Sequence, residues 1–214
     1  MAVNEIKFRE LTNEFLEKKV TLVAVSKTKP AEDIQMLYDL GQKDFGENYV
    51  QELVDKQGQL PPDICWHFIG HLQSNKVKFI ASFVYMIHGV DSLKLLLEIN
   101  KQALKNNRVI KCLLQVHIAT EETKFGLDSS ELDNIISSNV IESLKGVEVC
   151  GLMGMASFTA DTQQVEKEFN TLKYIKDKYS FLNTLSMGMS GDYDLAINSG
   201  STMVRIGSLL FGAR

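Results

Sequence analysis

Residues Thr21–Pro30 read TLVAVSKTKP. The first half is near-continuously apolar, as a strand covered on both faces should be. It stops abruptly at a serine, two lysines, a threonine and a proline. This is part of the run Val20–Thr28, and seven more runs share its character: Lys43–Tyr49, Trp66–Gly70, Phe83–Val90, Ile110–Ile118, Val147–Ala156, Thr184–Met189 and Met203–Gly207. Helical spacings fill most of the gaps between them. Ile34, Leu37 and Leu40 share one face, with Gly41 as a stop. Leu93, Leu96, Leu97 and Leu104 define another face, and Val165, Phe169, Leu172, Ile175 and Tyr179 a third. Asp128 with Glu131 has the form of a capping box before Leu132. An additional amphipathic helix carrying Phe8, Leu11 and Phe15 precedes the first strand. Eight buried strands alternating with helices describe an α/β protein of the (β/α)8 TIM-barrel class. A doubly wound open sheet is the alternative. It generally uses fewer strands, and no GxGxxG follows the first strand here. Long linkers and low-complexity segments are absent, so residues 1–214 read as a single barrel domain.

Composition narrows the function classes. With 214 residues and a formal net charge of -4, the chain can bury a sizeable core and offers no overall basic surface for nucleic acid. Cys65, Cys112 and Cys150 are too scattered for a disulfide framework or a zinc spacing, and each lies in or beside an apolar run. The N-terminal MAVNEIKFRELTNEFLEKK is charged throughout, and no run approaches the roughly 18 apolar residues of a membrane span. The chain reads as soluble and cytoplasmic, with no membrane partner.

In a (β/α)8 barrel the active site lies at the C-terminal ends of the strands. The polar residues closing the apolar runs are Ser26-Lys27, Glu47-Asn48, His67, His117, Ser190 and Arg205. Lys27 and Lys29 have the same parity, so position must separate them. Pro30 suits the first residue of a helix, which leaves Lys29 at the turn near solvent. Lys27 lies one step further in, on the face of Val23 and Val25. An amine at a dry rim loses its proton more readily and becomes a nucleophile. Two lysines snorkelling to water would show the same pattern.

The segments SMGMSGDYDLAI and GSTMVRIGSLLFG follow the seventh and eighth runs, where many barrels build a phosphate site. Asp192 can cap a short helix over Tyr193–Ser199, whose first amides face Ser190. Gly207 and Ser208 supply the second half. Ordinary turn chemistry would explain either loop alone. Arg205 only donates hydrogen bonds. It suits a pyridine nitrogen that must stay unprotonated, or an ion pair with Glu47. A lysine amine, a phosphate cradle and a ring-nitrogen donor together describe a pyridoxal 5′-phosphate (PLP) site.

The motifs AVSKTKP, FGENYVQE, WHFIGHLQSNK, CGLMGMA, LSMGMSGDYDLAI and GSTMVRIGSLLFGAR, in this order, resemble the pyridoxal phosphate homeostasis protein family, the YggS/PROSC-like proteins. The resemblance runs from about Thr21 to Arg214. It implies a monomeric fold-type-III barrel like the N-terminal domain of alanine racemase, with PLP held as an aldimine on Lys27. It places the phosphate at Ser190, beside Met189, and at Gly207 and Ser208. It sets Arg205 against the pyridine nitrogen and Asn48 near the cofactor. His117 departs from the family, which more often has asparagine there, and relatives commonly run a little past FGAR.

Other residues keep simpler readings. His67 and His71 lack a carboxylate partner in sequence, which makes a metal site a poor reading. Lys124, in TKFG, reads as a loop residue able to reach an anion. The methionines read as packing. Three functions then compete: a PLP carrier without substantial catalysis, serving PLP-dependent apo-enzymes; a small amino-acid racemase; and a barrel enzyme acting on a phosphorylated metabolite. A two-base racemase needs a second proton carrier, which in alanine racemases is a tyrosine from a further domain that this sequence lacks. Arg205 on the ring nitrogen would also leave a poor electron sink. Both points favour the carrier.

Overall fold

The computed structural model describes residues 3–121 and 125–212. Eight parallel strands close into a barrel in chain order: β1 (Thr21–Val25), β2 (Asp44–Glu47), β3 (Cys65–Phe68), β4 (Met86–Val90), β5 (Ile110–Gln115), β6 (Val147–Met153), β7 (Thr184–Met189) and β8 (Met203–Ile206). Helix α1 (Glu5–Lys18) precedes the barrel, and its Phe8, Leu11 and Phe15 are buried as expected. Each such side chain contributes roughly 1.5–3 kcal/mol by leaving water. The remaining helices are α2 (Ala31–Asp39), α3 (Val50–Gln57), α4 (Val77–Ile80), α5 (Leu93–Lys105), α6 (Ser129–Ser137), α7 (Val140–Ser143), α8 (Thr162–Asp177), α9 (Tyr193–Asn198) and α10 (Ser208–Phe211), with a 3-10 turn at Ser74–Lys76. None is long and apolar enough to cross a membrane.

Several local expectations hold. Gly41 follows α2 at φ 104°, a backbone conformation that glycine adopts without steric penalty. Asp128 and Glu131 form both halves of the capping box on α6. Val165, Phe169, Leu172 and Ile175 are the buried stripe of α8. The buried face of α5 differs from expectation: Leu95, Leu96, Ile99 and Ala103 pack inward, while Leu97 and Leu104 stand 43% and 49% exposed. A leucine-rich helix carries two apolar stripes, and the one continued by Ile99 and the small Ala103 fits against the sheet. The apolar runs also overshoot most strands at their C-terminal ends. The residues beyond the ladder still line the mouth, so they keep the composition of a strand without its pairing.

Alternation divides each strand into an outer face under the helices and an inner face in the lumen. Val23, Met86, Leu113, Met153 and Met203 form a separate apolar cluster. The lumen is nevertheless polar along one diagonal, where His67, His88, Ser186 and Arg205 are all buried.

Candidate functional site

The closure of the barrel pairs β1 with β8, and the register sets Val23 beside Arg205. Beyond the ladder, Gly207 comes against the end of β1: a Cβ there would sit 3.3 Å from the Val25 carbonyl oxygen. The Gly207 amide donates to Ser190 Oγ at 3.2 Å, tying the loop after β7 to the loop after β8. Lys27, Arg205, Ser190 and Gly207 therefore gather at one end of the barrel, across the seam that closes it.

Lys27 is half-buried. β1 ends at Val25, so Lys27 stands in the turn beyond the strand rather than on the strand itself. That turn is closed by the Lys29 amide donating to the Ser26 carbonyl at 3.0 Å. Thr28 has φ 63°, unusual for a β-branched residue and a source of local strain. Its amide is held by Glu52 Oε1 at 2.5 Å. Under the turn lies a buried ionic network. Ser26 Oγ donates to Glu47 Oε1 at 2.7 Å. Lys56 Nζ donates to the same oxygen at 2.7 Å, to Glu52 Oε1 at 2.6 Å and to the Ser26 carbonyl at 2.7 Å. Burial pushes the Glu47 carboxyl up, while Lys56 and Ser26 pull it back.

Lys29 does not lie free near solvent. It is half-buried, and its Nζ donates to the Phe211 carbonyl at 2.9 Å. The tail of the barrel takes up this amine, which separates the two lysines by role. Pro30 is the residue before α2 rather than its first turn.

On the opposite side, Ser190 is half-buried and Ser208 is exposed. Met189 is 40% exposed at the end of β7, apart from the packed Met153 and Met187. Asp192 sits at the N-cap of α9, but its side chain makes no cap bond to that helix. It turns back and accepts from the Met189 amide at 2.6 Å. The first amides of α9 and α10 therefore have no partner within their own helices. Gly188 has φ 93°, and a Cβ there would come 2.5 Å from Ala196 Cβ, so only glycine lets α9 close onto β7.

Arg205 is buried, and it does not pair with Glu47, whose partners are Ser26 and Lys56. Its Nη1 donates to Ser186 Oγ at 2.6 Å and its Nη2 to the Gly154 carbonyl at 3.2 Å. Burial lowers its pKa to about 10, which leaves it charged at neutral pH. Asn48 is half-buried at the end of β2, and its Oδ1 is a buried acceptor without a partner. A donor-only guanidinium, a half-buried amine, two hydroxyls beside unpaired amides and an open acceptor fit an anionic heteroaromatic aldehyde such as PLP.

Two histidines have other surroundings. His67 is not a rim residue; it sits inside the lumen, bonded to Asp44 at 2.9 Å and His88 at 2.8 Å. His71 pairs with Asp91 at 3.1 Å and stacks on Phe125 at 4.1 Å. Both histidines thus have carboxylate neighbours, but these diverge, and no three potential ligands converge among the described residues. His117 bonds the Glu121 carbonyl at 2.9 Å in the loop after β5. Lys124 lies outside the described residues. Sequence reasoning missed Glu52, Lys56, Asp44, His88 and Ser186. The spacing of four between Glu52 and Lys56 on one helix was a readable signal, as were a histidine and a serine inside apolar strands.

The fold is a (β/α)8 barrel, with the Lys27 turn and the Ser190–Gly207 pair at one end of it. Comparison with known proteins narrows it. The family model described as alanine racemase, N-terminal domain, matches residues 6–214. The pyridoxal phosphate homeostasis protein of Aquifex aeolicus is 41% identical over 204 residues, covering 92% of this chain and 89% of that protein. Its Escherichia coli namesake is 38% identical over 208 residues, covering 92% and 87%. PipY of Synechococcus elongatus, solved with PLP bound, superposes with a TM-score of 0.88 at 34% identity, covering 96% of this chain and 98% of PipY. The chain belongs to the alanine racemase N-terminal domain family and, within it, to the pyridoxal phosphate homeostasis proteins. The alanine racemase of Bartonella henselae shares the fold at 18% identity and a TM-score of 0.75, over 56% of its length.

Proposed function

We propose that this protein binds PLP at the mouth described above, with Lys27 as the covalent attachment point, and serves intracellular PLP homeostasis as a carrier or buffer. One observation carries the reading: barrel closure sets the Lys27 turn beside Arg205 and the Ser190–Gly207 pair. When bound, PLP supplies an electrophilic aldehyde carbon and an electron-accepting ring. The Ser190 and Ser208 hydroxyls and the amides opening α9 and α10 hold its phosphate. Arg205 donates to the ring nitrogen and keeps it unprotonated, which weakens the ring as an electron sink and disfavours turnover. Asn48 offers an acceptor to the ring substituents. The names of the relatives and the PLP-bound PipY support this reading.

Borohydride reduction of the PLP-loaded protein followed by peptide mapping should place the label on Lys27. A label on Lys29 instead would refute the assignment. With a panel of L- and D-amino acids in deuterated water, α-proton exchange should stay far below the roughly 1–1000 per second of dedicated enzymes. Exchange at an enzyme-like rate, lost in Lys27→Ala, would make the protein a racemase. Mixing the loaded protein with a PLP-dependent apo-enzyme separates delivery from buffering. Reactivation faster than spontaneous PLP release means delivery.

A further inference from the structure

Arg205 carries a full charge in a buried setting with no carboxylate paired to it among the described residues. Asp192 attracts it only at a distance, because its own carboxylate is engaged by the Met189 amide. An uncompensated buried charge is costly. The lumen contains a continuous path from this charge to an acid at the opposite end. Arg205 Nη1 reaches Ser186 Oγ at 2.6 Å, Ser186 Oγ reaches His88 Nδ1 at 3.1 Å, His88 Nε2 reaches His67 Nδ1 at 2.8 Å, and His67 Nε2 reaches Asp44 Oδ1 at 2.9 Å. These links connect β8, β7, β4, β3 and the first residue of β2. Asp44, with a side chain 28% exposed, is where the path meets water.

The direction of every bond follows from its ends. Arginine only donates, so Ser186 Oγ accepts there and its hydroxyl proton is free for His88 Nδ1. His88 then carries its proton on Nε2 and donates to His67 Nδ1, and His67 donates from Nε2 to the Asp44 carboxylate. The opposite direction would require His67 to donate from Nδ1 while turning a bare nitrogen, or a second proton, toward Asp44. It would also leave the Ser186 hydroxyl proton without this acceptor. In the first arrangement all four dipoles run from the cation to the anion, and bonds aligned this way polarise and strengthen one another. Burial, with His67 and Arg205 nearby, pushes the His88 imidazolium well below its usual pKa, consistent with a neutral link. Tyr85, which packs edge-on against His67 and whose hydroxyl accepts from Lys111, closes the wall of the path.

We propose that Asp44 is a relayed counter-ion of Arg205, joined to it by Ser186, His88 and His67 as one oriented hydrogen-bond chain that positions the guanidinium for its ligand. These four are positioning residues. The link to a ligand rests on the PLP reading above, but the chain itself does not.

The test therefore begins on the protein without added PLP. Side-chain 15N NMR of the histidines near neutral pH should show both His67 and His88 as neutral Nε2–H tautomers. An Nδ1–H tautomer or an imidazolium at either residue would overturn the polarity. Asp44→Asn keeps an acceptor for His67 Nε2–H in its amide oxygen but removes the carboxylate charge, so the His67 and His88 Nε2–H resonances should move upfield while both tautomers stay the same. Unshifted resonances in that variant would sever Asp44 from the chain. PLP is the second probe. Asp44→Asn should weaken its binding by about threefold to thirtyfold, the size expected when one member of a coupled network is altered. Shifted Nε2–H resonances with PLP affinity changed less than about twofold would break the link to Arg205. Wild-type protein that shows the expected tautomers but binds no PLP would refute the function proposed above and leave the chain standing.

Discussion

The two sides of the barrel mouth are built by different means. On the β1–β2 side, a strained turn is held by side-chain bonds, most of them charged: Ser26, Glu47, Glu52 and Lys56 enclose the backbone around Lys27. On the β7–β8 side the main chain dominates: the Gly207 and Met189 amides tie the loops down through Ser190 and Asp192, the first amides of α9 and α10 have no partner within their own helices, and Gly188 sits at φ 93°. A reactive amine must be aimed, and a turn tied down by several charged bonds holds its position. An anion needs many donors at once, and backbone amides supply them without unfavourable side-chain entropy. The two sides should accordingly fail differently when altered.

The largest effect is expected on the charged side. Lys56→Ala leaves Glu47 buried without its cation, and breaking a buried pair this way costs about 3–5 kcal/mol. Urea denaturation measures it. A loss under about 1 kcal/mol, the value of an exposed pair, would mean that the network holds nothing. Gly188→Ala follows. A side chain at that φ, with Ala196 Cβ 2.5 Å away, should cost about 1–3 kcal/mol. The damage should be local, loosening α9 and reducing competition between inorganic phosphate and PLP.

Ser190→Ala removes the acceptor of the Gly207 amide and one hydroxyl from the cradle. Losing a charge-assisted bond of about 1.5–3 kcal/mol should weaken PLP roughly tenfold to a hundredfold with little change in unfolding. Unchanged affinity, with no competition by phosphate in the wild type, would put the phosphate elsewhere.

The smallest effect separates the two partners of the ion pair. Glu47→Gln keeps an acceptor for Ser26 and Lys56, and Lys56 retains Glu52, so the loss should be about 1 kcal/mol. Its signature is in pH. Burial raises the Glu47 carboxyl above its unfolded value, so between the two values the native state holds more protons. Its contribution is full below about pH 4.3 and falls as pH rises through the folded pKa. The stability difference, wild type minus Glu47→Gln, should decline in that direction. A difference that rises with pH would show that Lys56 outweighs burial.

The barrel was legible because burial on both faces leaves a compositional trace. Eight apolar runs separated by helical spacings appear on any reading, and α1, α2 and α8 were placed by the side chains they bury. The face of α5 was less legible, because two leucine stripes compete and only packing chooses between them. At the proposed site, Lys27, Asn48, Ser190 and Arg205 could be picked out as polar endings of apolar runs, and Gly207 as the glycine that closes the last run. Their supports left local traces, but the partners they meet could not be read. Lys56 meets Glu47 from the following helix, and Asp44 meets Arg205 through three strands that are distant in the chain.

What the sequence determined by itself is local: the alternation of strand and helix, the capping of α6, the glycine after α2, and the position of Lys27 just past a buried strand. Each follows from a periodicity or a backbone preference within about a dozen residues. Tertiary structure decided which lysine is taken up elsewhere. Lys29 is bound by the carbonyl of Phe211, 182 positions away. It also decided that Arg205 faces Val23 rather than pairing with Glu47. The reason is closure. Only when β8 pairs with β1 do the two ends of the chain share a wall, and no local propensity encodes the partner of a strand nearly two hundred residues distant.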